Sequence, residues 1–369
     1  MRWNVAVYAI CKNEESFVDR WMDSMGEADL VAVTDTGSAD RTAEKLRARG
    51  AQVFEETIRP WRFDEARNRS LAHLPEDVDI CVCTDLDEVF HPGWRGKLEQ
   101  AWLPGTACGR YLYNWSLKPD GSPDIQFVYS KIHARHGYHW RYPVHEYIEC
   151  EHPESEPTVF LDGVVLDHRP DPGKSRGSYL PMLEAAVRED PQGDRMRYYL
   201  GREYLYAGRW NDCIGALTAY LEMPSATWAE ERAAAMRWIA GAYWKSGVRE
   251  EACRWYARAI AEASGMRDSY VEYAQMAYAL EDWPRVFWLT EEALQIKERS
   301  QTYINMGYAW DQTPDDLCAI ACYRLGMLER AEAHAGQALA HAPADTRLQD
   351  NLRLIRQAIK NEIPRAARL

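Results

Sequence analysis

A short apolar run that ends abruptly in three carboxylates limits most strongly what this chain can fold into. Residues 80–84 (ICVCT) are rich in β-forming side chains, and Asp85, Asp87 and Glu88 follow directly. The pattern predicts a buried strand whose carboxyl end presents acids, and in doubly wound sheets ligands bind outside those ends. Because side chains alternate along extended chain, Asp85 and Asp87 are expected to share one hard cation, Mg²⁺ or Mn²⁺. A solvated acidic loop is the alternative.

The flanking segments alternate between strand and helix patterns. Apolar runs at residues 4–10, 30–34 and 52–54 are each followed by a helical pattern, as expected for a parallel sheet with right-handed crossovers. The strands end in Asn13 and Glu14, then in Asp35, and then in the acids after Thr84. Since parallel strands end at one edge of a sheet, these polar side chains are expected to converge on one site.

Four motifs in this half resemble the family 2 glycosyltransferases of the GT-A fold. They are residues 9–15 (AICKNEE), 35–42 (DTGSADRT), 66–68 (ARN) and 85–88 (DLDE), in matching order and spacing. The resemblance covers roughly residues 3–170. It implies an α/β, Rossmann-like GT-A domain that uses a nucleotide-diphosphate sugar as donor, such as a UDP-sugar.

The resemblance also implies roles for particular residues. Asp35 and Arg67 are expected to hold the nucleotide base, Asp85 to lie near the ribose and the metal, and Asp87 to bind the metal. Mn²⁺ or Mg²⁺ then neutralises the diphosphate leaving group. The alternative for Arg67 is an ion pair with its helix neighbours. The donor-binding residues implied in this way are Asn13, Glu14, Asp35, Arg67 and Asp85.

Residues 142–168 supply the remaining catalytic candidates. An inverting transfer needs a carboxylate that takes the proton from the acceptor, and Glu146 has the place that this base has in related enzymes, where Asp is more common. His168 ends a strand pattern and is the candidate for the third metal ligand, with His145 as the competitor. An imidazole beside two carboxylates favours Mn²⁺.

Aromatic residues crowd into short extended runs between residues 105 and 170. They are expected to form either the wall of an acceptor site or part of the core. His133, His136 and His139 look like a metal cluster, but three-residue spacing on extended chain places them on different faces, and zinc is not expected there.

Beyond a breaker-rich hinge at residues 169–175, the sequence is helical and repetitive. Small residues recur with a period near 34, which is typical of tetratricopeptide (TPR) repeats. The aligned pairs are Gly201 with Gly208, Ala240 with Gly247, Ala274 with Glu281, and Ala319 with Gly326. We therefore expect a GT-A domain at residues 1–173 and a TPR-like domain at 174–369, with a capping helix over 346–360. The repeats are expected to hold the acceptor or another subunit, or only to support the first domain.

Composition limits the classes of partner and the cellular compartment that are expected for this chain. The net charge of −13 disfavours nucleic acid, which binds clustered Lys and Arg. There is no apolar run of about 18 residues and no signal-peptide pattern, so a cytoplasmic protein without membrane segments is expected. Nine cysteines without a CxxC pair predict neither a disulfide framework nor a structural zinc site, and Cys318 and Cys322 are interpreted as core thiols.

The sequence therefore predicts an inverting, metal-dependent hexosyltransferase with a peptide, protein or glycan acceptor. The competing interpretation is an interaction scaffold, in which the repeats bind protein partners and the transferase domain is degenerate. The presence of Asp35, Arg67, Asp85 and Asp87 together with a candidate base favours the enzyme.

Overall fold

The computed structural model describes residues 2–170 and 179–366, with side chains through residue 361. The chain divides into two compact units, of which the first comprises Met1–Pro191 with Gln301–Tyr303 and the second Gln192–Ser300 with Ile304–Leu369. The expected boundary between residues 173 and 174, and most of the predicted hinge, lie outside the described residues.

An eight-stranded sheet forms the centre of the first unit. Four of its seven strand pairs are parallel and three are antiparallel. Its order is β3-β2-β1-β4-β7-β6-β10-β5, and β8 and β9 form a separate two-stranded sheet. The strands are β1 (Val5–Cys11), β2 (Leu30–Asp35), β3 (Gln52–Glu55), β4 (Ile80–Cys83), β5 (Glu88–Phe90), β6 (Cys108–Leu117), β7 (Pro123–Ala134), β8 (Tyr138–Arg141), β9 (Tyr147–Cys150) and β10 (Thr158–His168).

Helices cover the sheet through narrow apolar faces. Helix α1 buries Val18, Trp21, Met22 and Met25, the i, i+3, i+4, i+7 pattern of an amphipathic helix. Full burial of each such side chain contributes roughly 1.5–3 kcal/mol to folding. The helices of this unit are α1 (Val18–Met25), α2 (Thr42–Ala48), α3 (Phe63–Ala72), α4 (Trp94–Ala101) and α5 (Tyr179–Glu189).

The sheet directions bring the predicted polar residues to one edge. Strands β1 to β4 are mutually parallel, with Cys11 opposite Asp35 and Tyr8 opposite Cys83. Strand β10 runs in the same direction, since β4 is antiparallel to β7, β7 to β6, and β6 is parallel to β10. The mixed α/β architecture with this shared carboxyl edge is as predicted.

The acidic segment itself is a turn rather than extended chain. Strand β4 ends at Cys83, and the Glu88 N–H donates to the Asp85 carbonyl at 3.0 Å. Leu86 is fully buried within this turn. The expected alternation of side chains along an extended segment therefore does not apply to Asp85 and Asp87.

The second unit consists of helices arranged as successive antiparallel pairs. Each pair is joined by a residue with positive φ: Gly208 (71°), Gly247 (81°), Glu281 (56°) and Gly326 (75°). A β-carbon at Gly201 would overlap the buried side chain of Leu217 on the partner helix, which explains the small residue there. The helices are α6 (Asp194–Tyr206), α7 (Trp210–Leu221), α8 (Ala229–Lys245), α9 (Arg249–Glu262), α10 (Arg267–Ala279), α11 (Trp283–Gln295), α12 (Thr313–Arg324), α13 (Leu328–His341) and α14 (Thr346–Ala366).

These positions are the ones aligned from sequence, so the repeat interpretation is confirmed as a helical repeat architecture. The predicted terminal helix at residues 346–360 is α14, which extends to Ala366. Across the described ranges, 2–170 and 179–366, no helix is long and apolar enough to cross a bilayer.

Candidate functional site

Arg67 joins two of the predicted site carboxylates. Its Nη2 donates to Asp85 Oδ1 at 2.8 Å and its Nε donates to Glu146 Oε1 at 2.6 Å. The guanidinium carbon lies 4.9 Å from the centre of the Trp140 ring, and the residue is only 5% exposed. Arg67 therefore connects the end of β4 with the loop that precedes β9.

The alternative pairing of Arg67 with its helix neighbours is wrong. Asp64 pairs with Arg62 at 2.9 Å and Glu65 pairs with Arg69 at 2.9 Å. Arg67 instead lies on the face of α3 that packs on the sheet, where the Ser70 hydroxyl donates to the Ala9 carbonyl.

Asn68, the last residue of the ARN motif, fixes the aromatic wall beside Arg67. Its Nδ2 donates to the Trp140 carbonyl at 2.8 Å and its Oδ1 accepts from the Trp140 N–H at 2.7 Å. The Trp140 indole N–H donates to the buried Tyr8 hydroxyl at 2.9 Å. The motif therefore positions both the cation and the ring that it stacks on.

Lys131 is a buried cation that the sequence reasoning missed. It lies on β7, is 4% exposed, and its Nζ lies 2.9 and 3.0 Å from the two carboxylate oxygens of Glu88. The Tyr113 hydroxyl donates to the same carboxylate at 2.8 Å. The available signal was a lysine two residues after Tyr129 and four after Phe127, and therefore on the same strand face as these rings, next to buried acids without an assigned cation.

Asp85 lies between the two cations. Its Oδ1 accepts from Arg67, and its Oδ2 lies 3.5 Å from Lys131 Nζ. Burial raises the pKa of Asp85, but the charges of Arg67 and Lys131 hold that pKa well below its usual range. The charges of Glu88 and then Asp85 raise the pKa of Lys131 despite its burial, so Lys131 is charged.

Asp87 and His168 form the second part of the site. His168 Nε2 lies 3.6 Å from Asp87 Oδ2, while His168 Nδ1 lies 3.0 Å from the Trp115 carbonyl and the ring stacks on Trp115 at 4.6 Å. A carbonyl accepts only from an N–H, so Nδ1 carries a proton and Nε2 is the nitrogen that faces the carboxylate. Burial lowers the pKa of His168, and Asp87 more than reverses this, so the pKa is raised.

His145, the competing ligand, lies elsewhere. Its ring makes an edge contact with Tyr179 at 5.7 Å, and its backbone has a φ of 52°. Tyr142 in the same loop has a φ of 78°. Such left-handed conformations at non-glycine residues are costly and are concentrated at functional sites.

The remaining donor-site candidates are held by their own loops. Asp35 is 3% exposed, and its Oδ1 accepts from the N–H groups of Gly37 and Ser38 at 2.8 and 2.7 Å. Asn13 Oδ1 accepts from the Ala39 N–H at 2.7 Å, with Asn13 at a φ of 55°. The Glu14 N–H donates to the Thr42 hydroxyl at 2.7 Å. These contacts lock the loops after β1 and β2 together.

Charged side chains of both signs line the carboxyl edge. Four carboxylates (Asp85, Asp87, Glu88, Glu146) face Arg67, Lys131 and the His168 imidazole, and the charge of Asp87 also acts on Arg20. Carboxylates with an imidazole are ligands that suit a divalent metal ion. Among the described residues, however, Asp85, Asp87 and His168 do not bring three ligand atoms within 4.8 Å of one another.

No protein-family model matches the chain, and no curated protein matches it. Among solved structures it is similar to MamA (18% identity, 45% of this chain and 87% of that chain, TM-score 0.37). It is also similar to a thermophilic TPR protein of Thermus thermophilus (17%, 48% and 88%, 0.34). A third likeness is to glucosyl-3-phosphoglycerate synthase from Mycobacterium tuberculosis, solved with Mn²⁺, UDP and glucosyl-3-phosphoglycerate (28%, 30% and 44%, 0.26). All three TM-scores are below 0.5, so these likenesses carry no argument for fold or function.

Proposed function

We propose that the chain is an inverting glycosyltransferase that uses a divalent metal ion and a nucleoside-diphosphate sugar. The observation that carries this proposal is the pairing of Asp87 with His168, 3.6 Å apart at the carboxyl edge of β4 and β10, in a sheet of the kind that the GT-A resemblance implies. A nucleoside diphosphate is an anion, so an acidic site accepts it only together with a cation.

Asp87 and His168 are the proposed metal ligands. Asp87 Oδ2 and His168 Nε2 already lie 3.6 Å apart, and a bound ion would take the place between them. Asp85 would be the third ligand after its contact with Arg67 opens. The ion, Mn²⁺ or Mg²⁺, would supply charge that stabilises the departing diphosphate.

Asn13, Glu14, Asp35 and Arg67 are proposed to bind the nucleotide. Asp35 Oδ1 is held by two backbone N–H groups, and its Oδ2 has the Cys11 thiol at 3.7 Å. Its role is to accept from an N–H of the base. Arg67 would donate to a base carbonyl, which requires that its Nη2 leave Asp85 while its Nε stays on Glu146.

Glu146 is the proposed general base. The acceptor O–H or S–H gives its proton to Glu146 Oε2 while the acceptor atom bonds to the anomeric carbon. The bond from that carbon to the diphosphate oxygen breaks, and the diphosphate leaves with the electron pair. Glu146 Oε1 stays on Arg67 Nε, which holds the carboxylate in place. The acceptor class is a peptide, a protein side chain or a glycan.

An interaction scaffold with an inactive first unit is the second candidate, and one observation favours it. Arg67 engages both Asp85 and Glu146, the proposed metal ligand and base, in direct ion pairs. These ion pairs occupy the two carboxylates that metal binding and proton transfer would need, as expected for a fold without turnover.

A screen of nucleotide sugars for hydrolysis without acceptor separates the two candidates. The enzyme should release nucleoside diphosphate from one donor class with Mn²⁺ and not with EDTA. Asp87→Asn should abolish this hydrolysis, whereas Asp162→Asn, an exposed acid on β10, should leave it unchanged. Absence of hydrolysis with every donor, together with absence of metal-dependent nucleotide binding, would establish the scaffold.

A further inference from the structure

A second cluster of metal-ligating side chains lies in the helical unit. Glu291 is on α11, Cys318 is on α12 and His334 is on α13. Among the described residues, these three alone bring one ligand atom each, from histidine, cysteine or carboxylate, within 4.8 Å of one another. Three side chains from three helices converge here without any role in the proposed transfer.

The distances between the ligand atoms are close to those of a tetrahedral site. Cys318 Sγ lies 3.5 Å and His334 Nε2 lies 2.9 Å from Glu291 Oε1. Zinc bonds of about 2.0–2.3 Å at tetrahedral angles separate the same atoms by about 3.3–3.5 Å. All three ligand atoms lie within 4.8 Å of one another, so side-chain shifts of about an ångström would bring them to zinc-binding distances.

Asp315 has the position of the outer partner that zinc-binding histidines use. Its Oδ1 lies 2.8 Å from His334 Nδ1, and its side chain is 10% exposed. A carboxylate there keeps the proton on Nδ1 and turns Nε2 toward the metal, as in carboxylate–histidine–zinc arrangements. Arg330 Nη2 holds the other Glu291 oxygen at 2.7 Å.

The contacts around the cluster are compatible with a divalent ion. Arg330 pairs with Glu291, and His334 lies between Glu291 and Asp315. A zinc ion would bind the imidazole through Nε2 and Cys318 as its thiolate.

We propose that Glu291, Cys318 and His334 bind a zinc ion that links α11, α12 and α13. A mixed sulfur, nitrogen and oxygen donor set favours Zn²⁺ over Mg²⁺ or Ca²⁺, and water fills the fourth position on the exposed side. Cys318 is fully buried, whereas Glu291 and His334 are 25% and 19% exposed, so an ion enters past these two. The site ties one repeat to the next.

Cobalt substitution of the full-length protein tests this site. Co²⁺ should bind and give a thiolate-to-cobalt charge-transfer band, which Zn²⁺ should then remove by displacement. The band depends on a cysteine ligand, so metal bound at Asp87 and His168 does not produce it. A wild-type protein that gives no band with Co²⁺ overturns the proposal, whatever the variants do.

Variants assign the ligands. Cys318→Ser should abolish the band, while Cys213→Ser, an equally buried thiol on α7, should keep it. Asp315→Asn should weaken Zn²⁺ binding about 10–100-fold while the band remains, which is the size expected for an outer partner. A band that survives Cys318→Ser, or Zn²⁺ affinity unchanged by both Cys318→Ser and His334→Gln, contradicts the assignment.

Discussion

Lys131 is the buried counter-charge of Glu88 in the candidate site of the first unit. It is the only permanent cation within hydrogen-bond distance of Glu88 among the described residues, and it also faces Asp85. Removing one partner of a buried ion pair leaves an uncompensated charge, which is far more destabilising than losing both.

Lys131→Met should therefore lower the stability of the first unit by about 3–5 kcal/mol. Amide hydrogen exchange of β4 and β7 measures this locally. Lys118→Met, an exposed lysine in the β6–β7 turn, should change it by less than about 0.5 kcal/mol. Adding Glu88→Gln to Lys131→Met should recover part of the loss. If Lys131→Met and Lys118→Met changed the stability equally, Lys131 would not be an essential counter-charge.

His133 gives the first unit a dependence on pH. It is fully buried, its Nε2 lies 2.8 Å from the Tyr8 hydroxyl, and burial lowers its pKa to about 4. The unfolded chain has a histidine pKa of about 6.5, so between these values it binds more protons than the folded chain. The contribution of His133 is complete above about pH 6.5 and is lost as the pH falls toward about 4.

From pH 7 to pH 5, this residue should reduce the free energy of unfolding by about 2 kcal/mol. His133→Gln should remove that part of the pH dependence, and the exposed His136→Gln should not. Denaturant unfolding of the three proteins at both pH values gives the comparison. If the free energy of unfolding changes equally between the two pH values in His133→Gln and in the wild type, this pH dependence does not come from His133.

At the residue scale, the sequence placed acids at the carboxyl end of β4 but did not identify Lys131 as a counter-charge beside them. Asp85 and Arg67 belong to recognisable motifs, whereas Lys131 lies in an alternating strand with no motif of its own. Its partner is chosen by the register of β7 against β4, where Ile132 lies opposite Val82, and register is a long-range property. The assignment of Arg67, Asp85 and Glu146 to donor, metal and acceptor stays a prediction.

Among the elements, the turn at Asp85–Glu88 decides how the acids are presented. Sequence periodicity predicted β4 to within one residue of its end, because five apolar β-formers leave little choice. The turn was missed because the alternation of side chains was assumed to continue past the strand. Leu86 is fully buried in the turn, and burial of this side chain favours the turn over an extended conformation.

The helical pairs were predictable because their small and left-handed positions recur. Glu281 has a positive φ, as the glycines at 208, 247 and 326 do. The repeating feature is therefore the turn geometry rather than glycine itself. The cluster at Glu291, Cys318 and His334 was not predictable, since its residues come from three helices and have no metal-binding spacing along the chain.

Close packing of α6 against α7 should be sensitive to a single methyl group. Gly201→Ala places a β-carbon against Leu217 and should destabilise the second unit by about 1–3 kcal/mol. Gly215→Ala, on α7 with open space around its Cα, should stabilise it by up to about 1 kcal/mol. Thermal unfolding of both variants measures whether their stabilities change in opposite directions. If both variants gained or both lost stability, α6 and α7 would not pack as closely as described.

On the scale of the whole molecule, an acidic α/β unit and a helical repeat unit share one chain. The α/β class, the shared strand edge and the repeat pattern follow from local periodicity, which short stretches of sequence specify. The donor sugar and the acceptor of the proposed transferase would depend on loop geometry and on partners, which periodicity does not encode.

The most direct test of the central claim is calorimetric binding of UDP and other nucleoside diphosphates with and without Mn²⁺. The four carboxylates at the edge of β4 and β10 should allow nucleotide binding only when the ion is present. At a hundred times the dissociation constant, that binding should stabilise the protein by about 2.7 kcal/mol. Asp87→Asn should abolish the Mn²⁺-dependent binding and Asp162→Asn should retain it. Nucleotide binding that is absent in the wild type, or equal in wild type and Asp87→Asn, would contradict a metal-dependent nucleotide site at this edge.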